Sequence, residues 1–404
     1  MFCNSLFFIK EIIRMIVTPR AKGFICTTAH PVGCRENILS QIACAKGKAE
    51  DYHKKEEWPA KNVLVIGCSA GYGLASRIAA AFTAGCNTLG VMYEREAAGK
   101  RTATAGFYNT KAFEQEACRE GLYAQTINGD AFSKEIKEQT IEKIRQDLKR
   151  IDLVIYSLAS PRRTMEDGTV KKSVLKTVGA PFWTKSLNLA HNEIETVCLE
   201  PATDQEIEDT ISVMGGEDWM EWIDLLEQAD VLSPQARTIA YSYLGPKLTY
   251  PIYQSGTIGC AKKHLQETAD RINDEYVDLE AYVCVNKAVV TQSSAAIPGV
   301  PLYLSALYKV MKEMGLHEDC AMQMTRLFTD RLSAQKIDTD TQGRIRMDDW
   351  ELKTEVQKKV MQIWDAVTTE NVKELCDLDG YWEDFYKIFG FGIKNVDYSR
   401  DVEV

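Results

Sequence analysis

Several features are scarce in this sequence, and each absence narrows what the chain is. No apolar run approaches the ~20 residues that a membrane-spanning helix requires. The run Leu6-Phe7-Phe8-Ile9 is too short for a signal peptide and lacks both a basic start and a small-residue cleavage site. The five histidines are not spaced as zinc ligands, and the twelve cysteines, scattered singly from Cys3 to Cys376, contain no C-x-x-C pair. No metal is expected, and the thiols read as the reduced cysteines of a cytoplasmic protein. Basic charge is in deficit, 48 Lys and Arg against 58 Asp and Glu, a formal charge of −10. General nucleic-acid binding needs clustered cations in local excess, so neither nucleic acid nor membrane is an expected partner. Internal repeats and low-complexity linkers are also missing, while 45% hydrophobic and 26% charged residues are the proportions of a folded globular chain. Met15 opens Met-Ile-Val-Thr-Pro, which reads as a first strand. Residues 1–14 are therefore expected to be an extension and 15–404 a single domain.

What is present is alternation. Asn62 to Ile66 is a β-branched run that ends at a glycine, and Leu74 to Thr83 follows with Ala and Leu at helical spacing. Strands are expected at Thr88–Tyr93, Tyr123–Ile127 and Ile151–Leu158, with helices at Ala112–Glu120 and Lys134–Lys149 between them. Prolines 161, 181, 201 and 234 break the rhythm, so 161–235 reads as an insertion or lid. Alternation resumes with strands at Thr238–Tyr243 and Ala281–Asn286 and helices at Gly259–Asn273 and Pro301–Met314. A strand–helix series of this kind implies an α/β fold, a doubly wound parallel sheet with helices on both faces. Its core would be 62–160 and 236–315, with 316–404 a helical C-terminal extension.

A dinucleotide binds where such a strand ends and a helix begins, because free N–H groups and the helix dipole converge there. The turn Gly67-Cys68-Ser69-Ala70-Gly71-Tyr72-Gly73 has the spacing G-x-x-x-G-x-G, which points to a Rossmann-type unit of the short-chain dehydrogenase/reductase kind. Glu94, after Tyr93 at the end of the next strand, can bind both ribose hydroxyls and would repel a 2′-phosphate, which favours NADH. Arg95 argues the other way. Asp130-Ala131 and Leu158-Ala159 follow the third and fourth strands, where cofactor would pass, although each also reads as an ordinary polar loop.

A reductase that delivers hydride to a polarised double bond needs a hydrogen-bond donor where negative charge develops, and tyrosine with a nearby lysine suits this. Tyr253 and Lys262 stand nine positions apart, a Tyr-x8-Lys spacing. At roughly 100° per residue they would fall on opposite faces of one helix. Tyr253 is therefore expected before the helix, with Gly256 and Gly259 permitting the bend. With these residues, the strings Tyr156-Ser-Leu-Ala-Ser-Pro161, Met214-Gly-Gly-Glu-Asp-Trp219, Ala240-Tyr-Ser-Tyr-Leu-Gly-Pro246, Gly256-Thr-Ile-Gly259 and Arg344-Ile-Arg-Met-Asp-Asp-Trp350 resemble the trans-2-enoyl-CoA reductase family and its bacterial enoyl-[acyl-carrier-protein] reductases. The resemblance runs from about Met15 to the C-terminus.

The resemblance implies a single-chain, monomeric NADH enzyme that saturates the trans-2 double bond of an enoyl thioester carried by CoA or acyl carrier protein. It implies cofactor contacts at Gly67, Cys68, Ser69, Ala70, Gly71, Tyr72, Tyr93, Glu94, Asp130, Ala131, Leu158, Ala159, Lys262, Val289, Val290 and Thr291. Tyr253 would donate the proton, Tyr243 would contact the thioester, and Val300, Leu304 and Tyr308 would line the acyl chain. The last three lie four apart on one helical face and equally suit plain core packing. Arg162-Arg163, Lys171-Lys172 and Lys262-Lys263 are candidate docking cations for an acidic carrier protein. His30 is expected to make a structural hydrogen bond, and Asp338-Thr-Asp-Thr-Gln-Gly343 to be a surface turn, because Arg344, Arg346 and Asp349 do not suit a calcium loop. A carbonyl-reducing short-chain dehydrogenase and a non-catalytic NAD sensor are the competing readings.

Overall fold

The structure, a computed structural model, describes residues 13–22, 25–52, 60–292, 294–334 and 336–404. The apolar run at Leu6 to Ile9 lies outside them. Helix α1 (Pro31–Tyr52) precedes strand β1 (Asn62–Ile66), helix α2 (Gly71–Phe82) and strand β2 (Asn87–Met92). Then come α3 (Ala105–Arg119), β3 (Ala124–Asn128), α4 (Lys134–Lys143) and β4 (Ile151–Tyr156). Helices α5 (Asp204–Met214) and α6 (Glu217–Gln228) lead to β5 (Leu232–Ser242), α7 (Tyr250–Tyr253), α8 (Thr257–Glu275), β6 (Leu279–Val285) and α9 (Val300–Glu313). Strand β7 (Ile345–Arg346) and further helices, among them Thr354–Ala366 and Leu378–Ile388, complete the chain.

The seven strands form one parallel sheet in the order β7-β6-β5-β4-β1-β2-β3. Strand order reverses between β1 and β4, and the crevice at the carboxyl ends of the strands on either side of that point is where open α/β sheets bind ligands. The β-branched centre Val63-Leu64-Val65-Ile66 is fully buried, as a strand covered on both faces must be.

Two elements differ from the sequence expectation. Residues 161–235 are not uniformly an insertion. Their first part forms two hairpins, Arg162–Thr164 with Val170–Lys172 and Phe182–Asn188 with Glu193–Leu199, but α6 packs beneath the sheet. Trp219, Trp222, Ile223 and Leu226 of α6 are fully buried in one cluster with Leu64 and Ile66, and Trp219 Nε1 donates to Thr238 Oγ1 of β5 at 2.8 Å. This makes α6 the crossover between two sheet strands. The expected first strand at Met15 is only a two-residue ladder, Arg14–Met15 against Val402–Glu403, which joins the two ends of the described chain.

Candidate active site

The residues singled out in the sequence mostly collect at the carboxyl ends of the strands. After β1 the chain turns at Gly67, whose φ of 84° is left-handed, and a Cβ there would lie 2.4 Å from the Ser157 carbonyl oxygen. Only glycine fits. Helix α2 opens at Gly71 with no side chain capping its N-terminus, which leaves its first N–H groups and positive dipole end for an anion. Ser69 Oγ donates to Glu94 Oε1 at 2.6 Å, and Asn128 holds the Glu94 backbone reciprocally, its Oδ1 accepting from the Glu94 N–H and its Nδ2 donating to the Glu94 carbonyl, each at 2.8 Å. Gly106 admits that carboxylate, since a Cβ there would sit 2.0 Å from Glu94 Oε1. The acid expected to bind ribose is thus fixed in place beside the glycine turn. A cavity of about 640 Å³ opens there, bordered by Ala70, Glu94, Arg95, Gly106 and Phe389.

Asp130 and Ala131 follow β3, where Asp130 Oδ1 accepts from the Phe132 N–H at 3.0 Å. Leu158 and Ala159 follow β4 as a partly exposed loop, and Tyr93 is 76% exposed beyond β2. On the opposite wall, Val289 and Val290 follow β6, and the Thr291 methyl lies 3.9 Å from the position a Gly71 Cβ would take. The Tyr72 hydroxyl donates to the Lys287 carbonyl at 2.6 Å, which ties the glycine turn to the segment after β6.

Tyr253 closes the four-residue helix α7, and Lys262 lies early in α8, so the tyrosine does precede the lysine's helix. The bend needs glycine for room: Gly256 has extended backbone, but a Cβ there would come within 2.8 Å of the Lys176 carbonyl oxygen. The Tyr243 and Tyr253 rings meet edge to face at 4.7 Å. Their hydroxyls differ in use. Tyr243 donates to Glu351 Oε1 at 2.9 Å, whereas no described residue hydrogen-bonds the Tyr253 hydroxyl. Burial, and then the charge of Glu351, push the Tyr253 phenol well above its ordinary value. Among the described residues no cation offsets those two effects. Tyr253 therefore holds its proton and is free to give it. Lys262 is half-buried, and desolvation alone pulls it down to about 8.

Val300, Leu304 and Tyr308 are buried in the same core cluster as Tyr253. Tyr308 is committed there, its oxygen accepting from the Val290 N–H at 3.2 Å while the Lys287 ammonium lies over its ring. None of the three borders the cavity beside Glu94, and neither do Tyr243, Tyr253 and Lys262. The basic pairs do not make a patch either. Arg163 is buried against Glu217 and Glu221, and Lys171 donates to Ser212, which leaves Arg162, Lys172 and Lys263 exposed. His30 is buried at the start of α1, its Nδ1 accepting from the Gly33 N–H at 3.0 Å. Asp340 is occupied by Arg344 and Arg346, as befits a turn.

Sequence reasoning missed Glu351. It is fully buried, and Oε1 accepts from Tyr243 and from Tyr303 (2.6 Å) while Oε2 accepts from the Ala288 N–H at 2.7 Å. Burial raises its pKa, opposed by buried Lys287 and these donors. No local pattern announces it. The one available signal is that it directly follows the string ending at Trp350.

Comparison with known proteins agrees with this geometry. Residues 16–99 match the family model for the NAD(P)H binding domain of trans-2-enoyl-CoA reductase, and 101–333 match that for the catalytic region. The chain is 50% identical over 393 residues to the trans-2-enoyl-CoA reductase [NADH] of Ruminiclostridium cellulolyticum, covering 96% of this chain and 98% of that one. It is 51% identical over 396 residues to the enoyl-[acyl-carrier-protein] reductase [NADH] of Coxiella burnetii, covering 96% of each. The crystal structure of Treponema denticola trans-2-enoyl-CoA reductase in complex with NAD superimposes with a TM-score of 0.93 at 47% identity, covering 96% of this chain and 98% of that one.

Residues 339–402 match a model described as an enoyl reductase FAD binding domain. The residues here do not fit a flavin dinucleotide. After β7 the chain meets no glycine turn but Asp348, buried and held by Arg346. The helices that follow bury Val356, Val360, Tyr381 and Phe385 completely in the core shared with α9. Among the described residues the segment presents a packed face and no cradle, whereas the glycine turn, the fixed Glu94 and the wall at Thr291 do suit NADH. With its sheet, its cradle and nearly its whole length matched, the chain belongs to the trans-2-enoyl-CoA reductase family.

Proposed function

We propose that this chain reduces the trans-2 double bond of an enoyl thioester with NADH. The observation that carries the reading is the Tyr243–Tyr253 pair at the crevice, in which only the Tyr253 proton is uncommitted. Gly67 to Tyr72 would hold the pyrophosphate, Glu94 the adenosine ribose, Asp130-Ala131 the adenine edge, and Leu158-Ala159 with Val289 to Thr291 the nicotinamide half. NADH, when bound, supplies the hydride that adds to the β-carbon. Negative charge then develops on the thioester oxygen, and a hydroxyl in a dry site stabilises it far more than one in water. Tyr253 is that donor, its raised pKa keeping it protonated. Lys262, with no acidic partner among the described residues, holds the ribose and keeps positive charge near the enolate. Glu94 disfavours a 2′-phosphate because its carboxylate is pinned by Ser69 and cannot swing aside.

CoA and acyl carrier protein are both substrates in this reading, with exposed Arg162 and Lys172, cross-strand partners on the first hairpin, as the cations that would meet an acidic carrier. All the groups invoked come from one chain, so a monomer suffices, and the eleven described cysteines, all free, suit the cytoplasm. The test is loss of NADH absorbance with crotonyl-CoA. Tyr253→Phe should lower kcat by ~10²- to 10⁴-fold, the usual worth of a general acid. An unchanged rate would sink the assignment, and no turnover by the parent enzyme with any enoyl thioester would sink the reaction.

A further inference from the structure

Glu351 joins three loops that the sheet brings together. One of its oxygens accepts from Tyr243, just after β5, and from Tyr303 on α9, and the other accepts from the Ala288 N–H, just after β6. The residue itself follows β7, the edge strand. Beside it the buried Lys287 donates to the Ala288 carbonyl at 2.8 Å, and the Lys287 carbonyl accepts from Tyr72 of the glycine turn. A continuous path of hydrogen bonds and packed groups therefore runs from the cofactor cradle through Tyr72, Lys287, Ala288 and Glu351 to Tyr243 and, by ring contact, Tyr253.

A phenol has one proton. By accepting it, Glu351 leaves the Tyr243 oxygen with lone pairs only and no hydrogen to give. It also fixes the Tyr243 ring, and the edge-to-face contact transmits that position to Tyr253. Gln357 Nε2 steadies the other branch, donating to the Tyr303 oxygen at 3.1 Å and to the Glu351 carbonyl at 2.8 Å.

We propose that Glu351 is a positioning residue of the reductase: it holds Tyr243 as a donor toward itself and so leaves Tyr253 as the one hydroxyl that donates to the substrate. The proposal rests on the enoyl-thioester reading above and assigns work to the C-terminal segment in support of the NADH site. Glutamine at 351 keeps the volume but offers one oxygen and an amide N–H₂, so it cannot accept from both tyrosines and the Ala288 N–H at once. Glu351→Gln should therefore lower kcat with crotonyl-CoA by at least tenfold while KM for crotonyl-CoA changes less than threefold. Glu351→Asp, which keeps two accepting oxygens, should recover part of that loss.

The readout that separates positioning from bulk stability is a double-mutant cycle. Tyr243→Phe removes the hydroxyl that Glu351 holds, so the Tyr243→Phe/Glu351→Gln double variant should lose no more kcat than the worse single variant. If Glu351→Gln does not fold, the same cycle is run with Glu351→Asp. Parent turnover with multiplicative kcat losses overturns the role of Glu351 and leaves the reaction standing, as does a kcat for Glu351→Gln within twofold of the parent. Absence of parent turnover overturns the reaction itself, and this proposal with it.

Discussion

The ammonium of Lys262 is where a single side chain sets a measurable pH dependence. Its pKa is pulled down to about 8 because burial removes water from the charge and no carboxylate among the described residues replaces it. The sign follows directly: below about 8 the side chain carries its proton, and above it the cation is lost. If the charge holds the ribose and balances the enolate, kcat/KM with respect to NADH should be flat below that pH and fall about tenfold per unit above it. Lys262→Arg keeps the cation at every accessible pH and should remove the alkaline limb, whatever it does to the plateau. A limb that survives in Lys262→Arg assigns the titration elsewhere. Gly67, Gly71, Glu94, Tyr253 and Lys262 could be put forward from the sequence because each belongs to a short motif whose spacing carries its physics. Glu351 could not, because its partners Tyr243 and Ala288 lie 108 and 63 positions away and only the sheet brings them together.

Among the elements, α4, α6, β4 and the first hairpin are tied by buried charge. Lys137 on α4 reaches Asp218 and Glu221 on α6 at 2.6 Å each, Tyr156 at the end of β4 donates to Asp218 at 3.0 Å, and Arg163 of the hairpin binds Glu221 at 2.5 Å. Asp218 is 2% exposed, and desolvation raises its pKa against the pull of Lys137. Removing the cation leaves that carboxylate buried and unpaired, so Lys137→Met should cost about 3–5 kcal/mol in urea denaturation at neutral pH. The deficit should shrink as pH falls, because Asp218 can then take up a proton and lose its charge. Lys137→Met/Asp218→Asn should recover part of it at neutral pH, and a deficit equal at all pH values would show that the charge is not its source. Within 161–235 the prolines and acids suggest a loop region, while the four apolar side chains that make α6 a core helix give a weaker signal than the breaks around it. Helix α1 was missed for a similar reason. Its buried stripe of Cys34, Ile38, Ile42 and Ala45 is narrow and sits among lysines and glycines, and it is recognisable as a helix mainly from the α2 and α3 surfaces it covers.

For the whole molecule the question is how many dinucleotides one sheet serves. The described fold has a single seven-stranded parallel sheet with one reversal of strand order, and its glycine turn, the fixed Glu94 and Tyr253 all stand at the carboxyl ends of the strands. The C-terminal 339–402 segment, matched to a flavin-binding description, instead spends its apolar side chains on α9 and its Glu351 on the site tyrosines. One cradle predicts one ligand-linked stabilisation. NADH at a hundred times its Kd should stabilise the native state by about 2.7 kcal/mol. For 404 residues at ~2.1 cal/mol/K each, the unfolding entropy is about 0.85 kcal/mol/K, so Tm should rise by about 3 °C. FAD at equal concentration should leave Tm where it is, and the purified enzyme should turn over crotonyl-CoA without flavin absorbance. A rise with FAD that adds to the rise with NADH would require a second site, and the packed face of the C-terminal helices would then have to open to provide it.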